Sequence, residues 1–123
     1  MSDKRQFETG AVRDVDNNKP DFIESISWIA LGRYALYMRS KEERYGRGNW
    51  KKGIPIEEYE KSLMRHLHKY LANKYDGASL EPEEDHLSAA MFNLFGLMHE
   101  TIKGTVVADN KNINGRLGNN IDK

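Results

Sequence analysis

The sequence predicts an all-α fold, a compact bundle of three main helices with short extra elements. Three stretches carry apolar residues at three- and four-residue spacing, which is typical of helices with one buried face. Glycine, proline and asparagine separate these stretches, as they do in turns and at helix ends. With 123 residues, the chain has the size of a single domain. Because three helices enclose only a small core, we expect a homo-oligomer to complete it.

The first helix is expected to begin near Asp21, whose side chain can cap it, and to end near Arg44. Its apolar stripe consists of Phe22, Ile23, Ile26, Ile29, Ala30, Arg33, Tyr34 and Tyr37. Gly46 and Gly48 follow the helix, and glycine is common just after a helix C-terminus.

Two further helices complete the predicted bundle. Pro55 suits the beginning of a helix over residues 56–74. The third helix is expected to begin around Pro82, because acidic residues follow it and favour the first turn of a helix. This helix is expected to end near Gly104.

The domain organisation follows from these helices. Residues 1–20 form a polar N-terminal arm, and residues 21–104 form the helical domain. Residues 105–123 are rich in asparagine, glycine and aspartate, so we expect a flexible polar tail.

The composition argues against several classes of partner and chemistry. Lysine plus arginine and aspartate plus glutamate both number 19, so no excess of positive charge points to nucleic acid. The absence of cysteine excludes disulfides and thiolate nucleophiles. No apolar run approaches the roughly 20 residues of a membrane span, so we expect a cytoplasmic protein without a membrane partner.

The third predicted helix carries polar residues on the side that should be buried. His86 and Asn93 lie seven residues apart, hence on nearly one face, with small residues between and beyond them. Glu84 and Asp85 stand at the helix start, where they can hold a divalent cation or simply complement the helix dipole. Buried polar groups are costly unless paired, so this face indicates either a ligand site or hydrogen bonds between helices.

The second predicted helix offers Arg65 and His66 as candidates. His66 falls within the apolar stripe, and Arg65 lies at its edge. Arginine is a natural bidentate partner of phosphate, and histidine can ligate a metal or donate to a phosphoryl oxygen. The alternatives are a satisfied core histidine and a surface ion pair.

The loop after the first helix combines flexible backbone with aromatic and amide side chains. Trp50 or Tyr45 can stack on a base, and Asn49 and the backbone amides can bind the ligand's polar groups. The alternative is a helix C-cap followed by a tryptophan packed over the core. Glu42 and Glu43, one turn earlier, can contribute carboxylates to a magnesium site.

Common enzyme motifs are absent from the sequence. It has no P-loop, no GxGxxG following a strand, no GxSxG elbow and no HExxH. Spacing alone therefore does not identify a reaction.

The order of the remaining motifs carries a resemblance to a known family. The motifs are Thr9-Gly10-Ala11-Val12-Arg13-Asp14, Tyr45-Gly46-x-x-Asn49-Trp50-x-x-Gly53-Ile54-Pro55, Arg65-His66-Leu67-x-x-Tyr70-Leu71 and Asp85-His86-Leu87-x-x-Ala90-x-x-Asn93. In this order they resemble the dATP/dGTP diphosphohydrolase N-terminal domain, common among phage and prophage proteins. More distantly the chain resembles MazG-like nucleotide pyrophosphohydrolases, which are all-α oligomers with magnesium on helix carboxylates.

The resemblance implies a purine nucleotide ligand and a role for each candidate residue. The implied nucleotide-binding residues are Arg13, Tyr45, Asn49, Trp50, Arg65, His66 and Asn93. The implied magnesium ligands are Glu42, Glu43, Glu84 and Asp85, and the implied catalytic group is Glu84, Asp85 and His86. The metal would polarise the phosphoryl group and activate water.

Three functional hypotheses remain open at this stage. The first is a metal-dependent purine (deoxy)nucleoside triphosphate pyrophosphohydrolase, phage-associated and acting in the host cytoplasm. The second is a non-catalytic protein that sequesters a host signalling nucleotide, because the paired acidic signature of MazG-like enzymes is incomplete here. The third is an oligomeric interaction domain whose polar residues only fix helix register.

Overall fold

A computed structural model describes residues 4–15 and 18–108, with side chains up to residue 104. Three helices account for most of the described chain: α1 Trp28–Tyr45, α2 Ile56–Tyr75 and α3 His86–Ala108. Two short strands, β1 Lys4–Gln6 and β2 Val12–Asp14, precede them, and a 3-10 helix, Asn49–Lys52, lies between α1 and α2. The prediction of three packed helices is confirmed.

The N-terminal arm contains a small hairpin that the sequence did not predict. Its strands are antiparallel, with Arg5 opposite Arg13, and all of their residues are exposed. The turn is closed where the amide of Phe7 donates to the carbonyl of Ala11 at 2.8 Å, and Gly10 adopts a φ of 91°. This positive φ suits glycine and explains how so polar a segment turns back on itself.

The start predicted for the first helix is wrong by seven residues. The carboxylate of Asp21 does cap local backbone amides, those of Ile23 and Glu24, but it stabilises only a turn. The helix instead begins at Trp28, where the hydroxyl of Ser27 accepts from the amide of Ala30 at 3.2 Å. Two capping residues therefore compete for this segment, and the second one starts the regular helix.

The other helix boundaries agree better with the sequence. Helix α2 starts directly after Pro55 as predicted and ends one residue later than expected. Helix α3 starts four residues after Pro82, because Asp85 provides the N-cap: its Oδ1 accepts from the amide of Ser88 at 3.2 Å. Helix α3 also extends through Ala108, four residues beyond the predicted end, so the predicted tail begins with helix. Residues 109–123 lie outside the described part of the chain.

Helices α2 and α3 form the principal packed pair, and α1 contacts α3 less extensively. The ring of Tyr59 on α2 is fully buried against Gly96 on α3, where an added Cβ would lie 2.2 Å from ring atoms. The buried apolar side chains among the described residues are Tyr59, Ala89 and Ala90. The core of one chain is thus small. None of the described helices is both long enough and apolar enough to cross a membrane.

Candidate functional site

A cleft of about 660 Å³ opens between the C-terminal part of α1, the following loop, and the facing sides of α2 and α3. It gathers residues from the three places that supplied candidate site residues in the sequence, the loop after α1, helix α2 and the beginning of α3. The predicted site residues that line it are Glu42, Tyr45, Asn49, Trp50, His66, Glu84 and Asn93. The cleft is therefore the place where most of the candidates meet.

Glycines shape the loop that forms one wall of the cleft. Gly46 ends α1 with a φ of 86°, and its amide donates to the carbonyl of Glu42 at 2.8 Å. Gly48 then adopts a left-handed conformation that starts the 3-10 helix. This turn directs Trp50 back over α3, where its ring meets the ring of His99 edge-on, with 5.1 Å between centroids. Trp50 thus packs on the protein and also lines the cleft.

Positive charge predominates along the cleft. Five lysine and arginine side chains line it, Lys41, Arg44, Arg47, Lys51 and Lys69, against three glutamates, Glu42, Glu81 and Glu84. Lys41 on α1 holds both carboxylate oxygens of Glu84, at 3.0 and 3.2 Å, and Lys69 on α2 pairs with Glu81. The excess of cations favours an anionic ligand.

An apolar recess of about 440 Å³ adjoins the polar cleft. Met38, Trp50 and Phe92 line both spaces, so the two adjoin at these side chains. The recess is also lined by Tyr34 and Phe95, whose rings pack at a centroid distance of 5.4 Å. An aromatic recess beside a cationic cleft can accept a flat apolar group joined to an anion.

A search of protein-family models then matched residues 9–110 to the model described as dATP/dGTP diphosphohydrolase, N-terminal. The chain belongs to the dATP/dGTP diphosphohydrolase N-terminal family. The family resemblance that the motifs carry is thereby confirmed. The match does not test the association with phages or the likeness to MazG-like enzymes. Searches of curated proteins and of solved structures gave no match.

In this member of the dATP/dGTP diphosphohydrolase N-terminal family, His66 and His86 form a pair behind the cleft. Their Nδ1 atoms lie 2.9 Å apart, and the buried ring of His86 places Nε2 2.9 Å from the carbonyl oxygen of Glu81. Burial lowers the pKa of His66, and the nearby His86 lowers it further. His86 does not line the cleft itself, so it can act on a ligand in the cleft only through its contact with His66.

Asn93 lies deeper on the same face of α3. Its side chain is 4% exposed, and its Nδ2 donates to the carbonyl oxygen of Ala89 at 2.8 Å. His86, Ala89, Ala90, Asn93 and Gly96 are all buried, which confirms the predicted buried face of α3.

Asp85 has a different environment from the one expected of an open carboxylate. Arg33 on α1 donates to both of its oxygens, at 2.7 and 2.8 Å, and the hydroxyl of Ser88 donates to Oδ2 at 2.8 Å. The Arg33 guanidinium holds the pKa of Asp85 well below its usual range, and the hydrogen bonds from Ser88 act in the same direction. Asp85 therefore caps α3 and anchors α1.

The proposed magnesium ligands are each engaged with cations or apart from the cleft. Glu84 is bound by Lys41, Asp85 by Arg33, and Glu42 by Arg39 at 3.1 Å. Glu43 is exposed and does not line the cleft. Within residues 4–15 and 18–108, no three histidine, aspartate or glutamate side chains are grouped as a metal site requires. The arrangement in one chain does not fit a magnesium site made of protein ligands alone.

Two predicted phosphate partners also lie away from the cleft. Arg13 projects from the N-terminal hairpin, where Lys4, Arg5 and Lys19 line the same shallow basic recess. Arg65 is exposed on α2 and does not line the cleft. A role for either arginine in ligand binding stays a prediction.

Sequence reasoning missed the α1 residues that define the other wall of the cleft. Tyr37 and Lys41 lie one helical turn apart there, with the Lys41 ammonium 5.1 Å from the centre of the Tyr37 ring. Burial raises the pKa of Tyr37, with a further increase from the charge of Glu84. The signal was present in the stripe of α1: Arg33 interrupts its apolar residues, and Tyr37 and Lys41 follow at intervals of four.

Proposed function

We propose that this protein binds a purine deoxynucleoside triphosphate in the cleft. The observation that carries the proposal is the aromatic recess directly beside the cationic cleft, in a chain of the dATP/dGTP diphosphohydrolase N-terminal family. A purine ring is flat and largely apolar, so it suits the recess, whereas a triphosphate suits the lysines and arginines.

Trp50 is the residue best placed to contact both parts of the ligand, because it lines the recess and the cleft. Stacking of a base on an aromatic side chain contributes about 1–3 kcal/mol. Lys41 and Lys69 already hold carboxylates, and phosphate oxygens can take the same donors. Binding therefore exchanges carboxylate contacts for phosphate contacts on these lysines.

Binding is tested by titrating the protein with dATP and dGTP in EDTA. Trp28→Phe leaves Trp50 as the sole tryptophan, and we expect its fluorescence to change as the purine stacks. Trp50→Ala should weaken binding roughly tenfold or more. Arg47→Ala should weaken binding, whereas Arg65→Ala serves as the matched control outside the cleft. Equal losses of nucleotide affinity in Arg47→Ala and Arg65→Ala would contradict the proposed position of the phosphates in the cleft.

Hydrolysis is the second candidate function, favoured by two of the three glutamates that line the cleft, Glu42 and Glu84. Magnesium is often bound by one or two carboxylates together with substrate phosphates, so these two acids can suffice once a triphosphate is present. The ion would supply charge neutralisation at the phosphoryl group. Hydrolysis would add water across the α–β phosphoanhydride bond and give a monophosphate and pyrophosphate.

The two candidates differ in the fate of the nucleotide. With magnesium, pyrophosphate release that Glu84→Gln abolishes would support turnover. Recovery of intact nucleotide from the denatured complex, with no pyrophosphate formed, would support sequestration instead. If no purine nucleotide binds or raises the melting temperature, both sequestration and hydrolysis are contradicted and the interaction-domain hypothesis is favoured.

A further inference from the structure

The histidine pair behind the cleft has a hydrogen-bond pattern that fixes where its protons lie. Nε2 of His86 is 2.9 Å from the carbonyl oxygen of Glu81 and 3.2 Å from that of Leu80. A carbonyl oxygen only accepts hydrogen bonds, so Nε2 of His86 must carry a hydrogen. In the neutral ring, Nδ1 of His86 is consequently an acceptor.

This acceptor determines the tautomer of His66. The group 2.9 Å from Nδ1 of His86 is Nδ1 of His66, and one of the two must donate. With both rings neutral, His86 Nδ1 accepts, so His66 carries its hydrogen on Nδ1. Nε2 of His66 is then left with a bare lone pair.

The bare nitrogen of His66 belongs to a side chain that lines the cleft. Within the part of the chain that the structure describes, His66 hydrogen-bonds through Nδ1, and Nε2 has no hydrogen-bond partner. Burial and the neighbouring His86 lower the pKa of His66, which favours the neutral ring. Lys69 acts in the same direction, and Glu84 and Glu81 oppose it.

Asn93 adds a second acceptor to the same cleft. Its Nδ2 donates to the carbonyl oxygen of Ala89, and a flipped amide would place two oxygens against each other. The orientation is thus determined, and Oδ1 is left to accept. His66 on α2 and Asn93 on α3 both line the cleft and both present acceptors.

We propose that His86 holds His66 in the Nδ1–H tautomer, so that Nε2 of His66 and Oδ1 of Asn93 bind an N–H or O–H donor of the ligand. This inference rests on the proposed nucleotide function for the identity of the ligand. A purine deoxynucleotide carries such donors on the amino group of the base, in guanine also on ring N1, and on the 3′ hydroxyl of the sugar. Cations around the cleft recognise phosphate of any nucleotide, whereas these acceptors select for a donor.

The tautomer is tested on the free protein by long-range ¹H–¹⁵N NMR of the histidine rings at neutral pH. The chain has four histidines, and His68 and His99 serve as references assigned by substitution. We expect His66 protonated on Nδ1 and His86 on Nε2, which is a pair of opposite tautomers. A hydrogen on Nε2 of His66 would overturn the proposal.

Donor recognition is tested with triphosphates that lack one donor each. Purine deoxyriboside triphosphate lacks the amino group of dATP, dITP lacks that of dGTP, and the 2′,3′-dideoxy analogues lack the hydroxyl. We expect one of these losses to weaken binding to the wild-type protein roughly tenfold, since it leaves a buried acceptor unpaired. The analogue that loses affinity identifies the source of the donor.

His66→Asn provides the matched variant, because its amide retains an N–H near the position of Nδ1 and removes Nε2. His66→Asn should bind the natural nucleotide about as weakly as the wild type binds the analogue that lacks the recognised donor. The variant should also bind the natural nucleotide and this analogue with equal affinity. Equal affinity of the wild type for dATP and for its two analogues, which lack either its amino group or its hydroxyl, would overturn donor recognition. Absence of binding by every nucleotide would refute the proposed function, and the NMR result on free protein would still decide the tautomer.

Discussion

Helices α2 and α3 are held together by buried packing, whereas α1 contributes no buried residue. Tyr59 on α2 fills the space beside Gly96, and α3 also buries His86, Ser88 and Asn93. No residue of α1, which the structure describes in full, is buried. Its cross-contacts to the α3 side are the ion pairs Arg33–Asp85 and Lys41–Glu84 and the ring contact Tyr34–Phe95.

The difference shows which part of the cleft is rigid and which can adjust. His66 and Asn93 lie on the packed pair, so the acceptors are held by the core. Lys41 lies on α1 and has two roles, since it pairs with Glu84 and lines the cleft. An anion that takes Lys41 from Glu84 would therefore act on the contact that holds α1.

The largest expected effect comes from breaking the packed pair with Gly96→Ala. An added Cβ would lie 2.2 Å from two atoms of the Tyr59 ring, and this ring is fully buried and cannot move aside. We expect the free energy of unfolding to fall by about 3 kcal/mol, as overpacking in a core does. Thermal or denaturant unfolding measures the loss.

Gly104→Ala is the matched control on the same helix. Nothing lies within 4 Å of a Cβ added there, so alanine should leave stability unchanged or raise it by about 0.5 kcal/mol. Similar stabilities for Gly96→Ala and Gly104→Ala would contradict the close approach of Tyr59 to α3.

A medium effect is expected where α1 meets α3, at Asp85. Asp85→Ala removes both the N-cap of α3 and the partner of Arg33, and should cost about 1–2 kcal/mol. Asp85→Asn retains a good cap and loses the charge, so it should cost less. If Asp85→Asn lowered the free energy of unfolding as much as Asp85→Ala, the loss would be due to the ion pair rather than to the cap.

The same residue makes stability depend on pH. The pKa of Asp85 is lower in the folded protein than in the unfolded chain, so its contribution is present above the unfolded pKa of about 3.9. That contribution is lost as pH falls toward the folded pKa. Unfolding curves between pH 6 and about 3 should therefore show a steeper loss in the wild type than in Asp85→Asn.

The sequence was sufficient to predict features that depend on local pattern. The bounds of α2 and the buried face of α3 both follow from helical spacing. Most of the candidate cleft residues also came from local clusters, because polar residues at buried positions are conspicuous in a helical stripe.

Pairing between helices was not predictable in the same way. Arg33 and Asp85 are 52 residues apart, and Lys41 and Glu84 are 43 apart, so helical spacing contains no information about their contact. Glu84 and Asp85 were predicted to bind magnesium, and the folded chain pairs them with Lys41 and Arg33 of α1, so magnesium binding stays a prediction. The binding and catalytic roles of all the candidate residues stay predictions, including those of Arg13, Arg65 and Glu43, which lie away from the cleft.

The expected homo-oligomer also depends on contacts that one chain does not contain. Helix α3 presents an exposed apolar stripe, made of Leu87, Met91, Leu94, Met98 and Ile102. Together with the small core, this stripe supports the prediction, since a second copy would bury surface that one chain leaves in water. Sedimentation velocity of the wild-type protein would measure the assembly.

The smallest expected effect concerns the start of α1 and separates the two capping residues that compete there. Ser27→Ala removes the cap of the helix, and should lower the free energy of unfolding by about 0.5–1 kcal/mol and reduce helical circular dichroism. Asp21→Ala disturbs only the preceding turn and should cost less in both measurements. If Asp21→Ala were the more harmful, the helix would begin near residue 21 in solution. Because α1 has no buried residue, the loss in Ser27→Ala should appear as fraying of this helix before the α2–α3 pair unfolds.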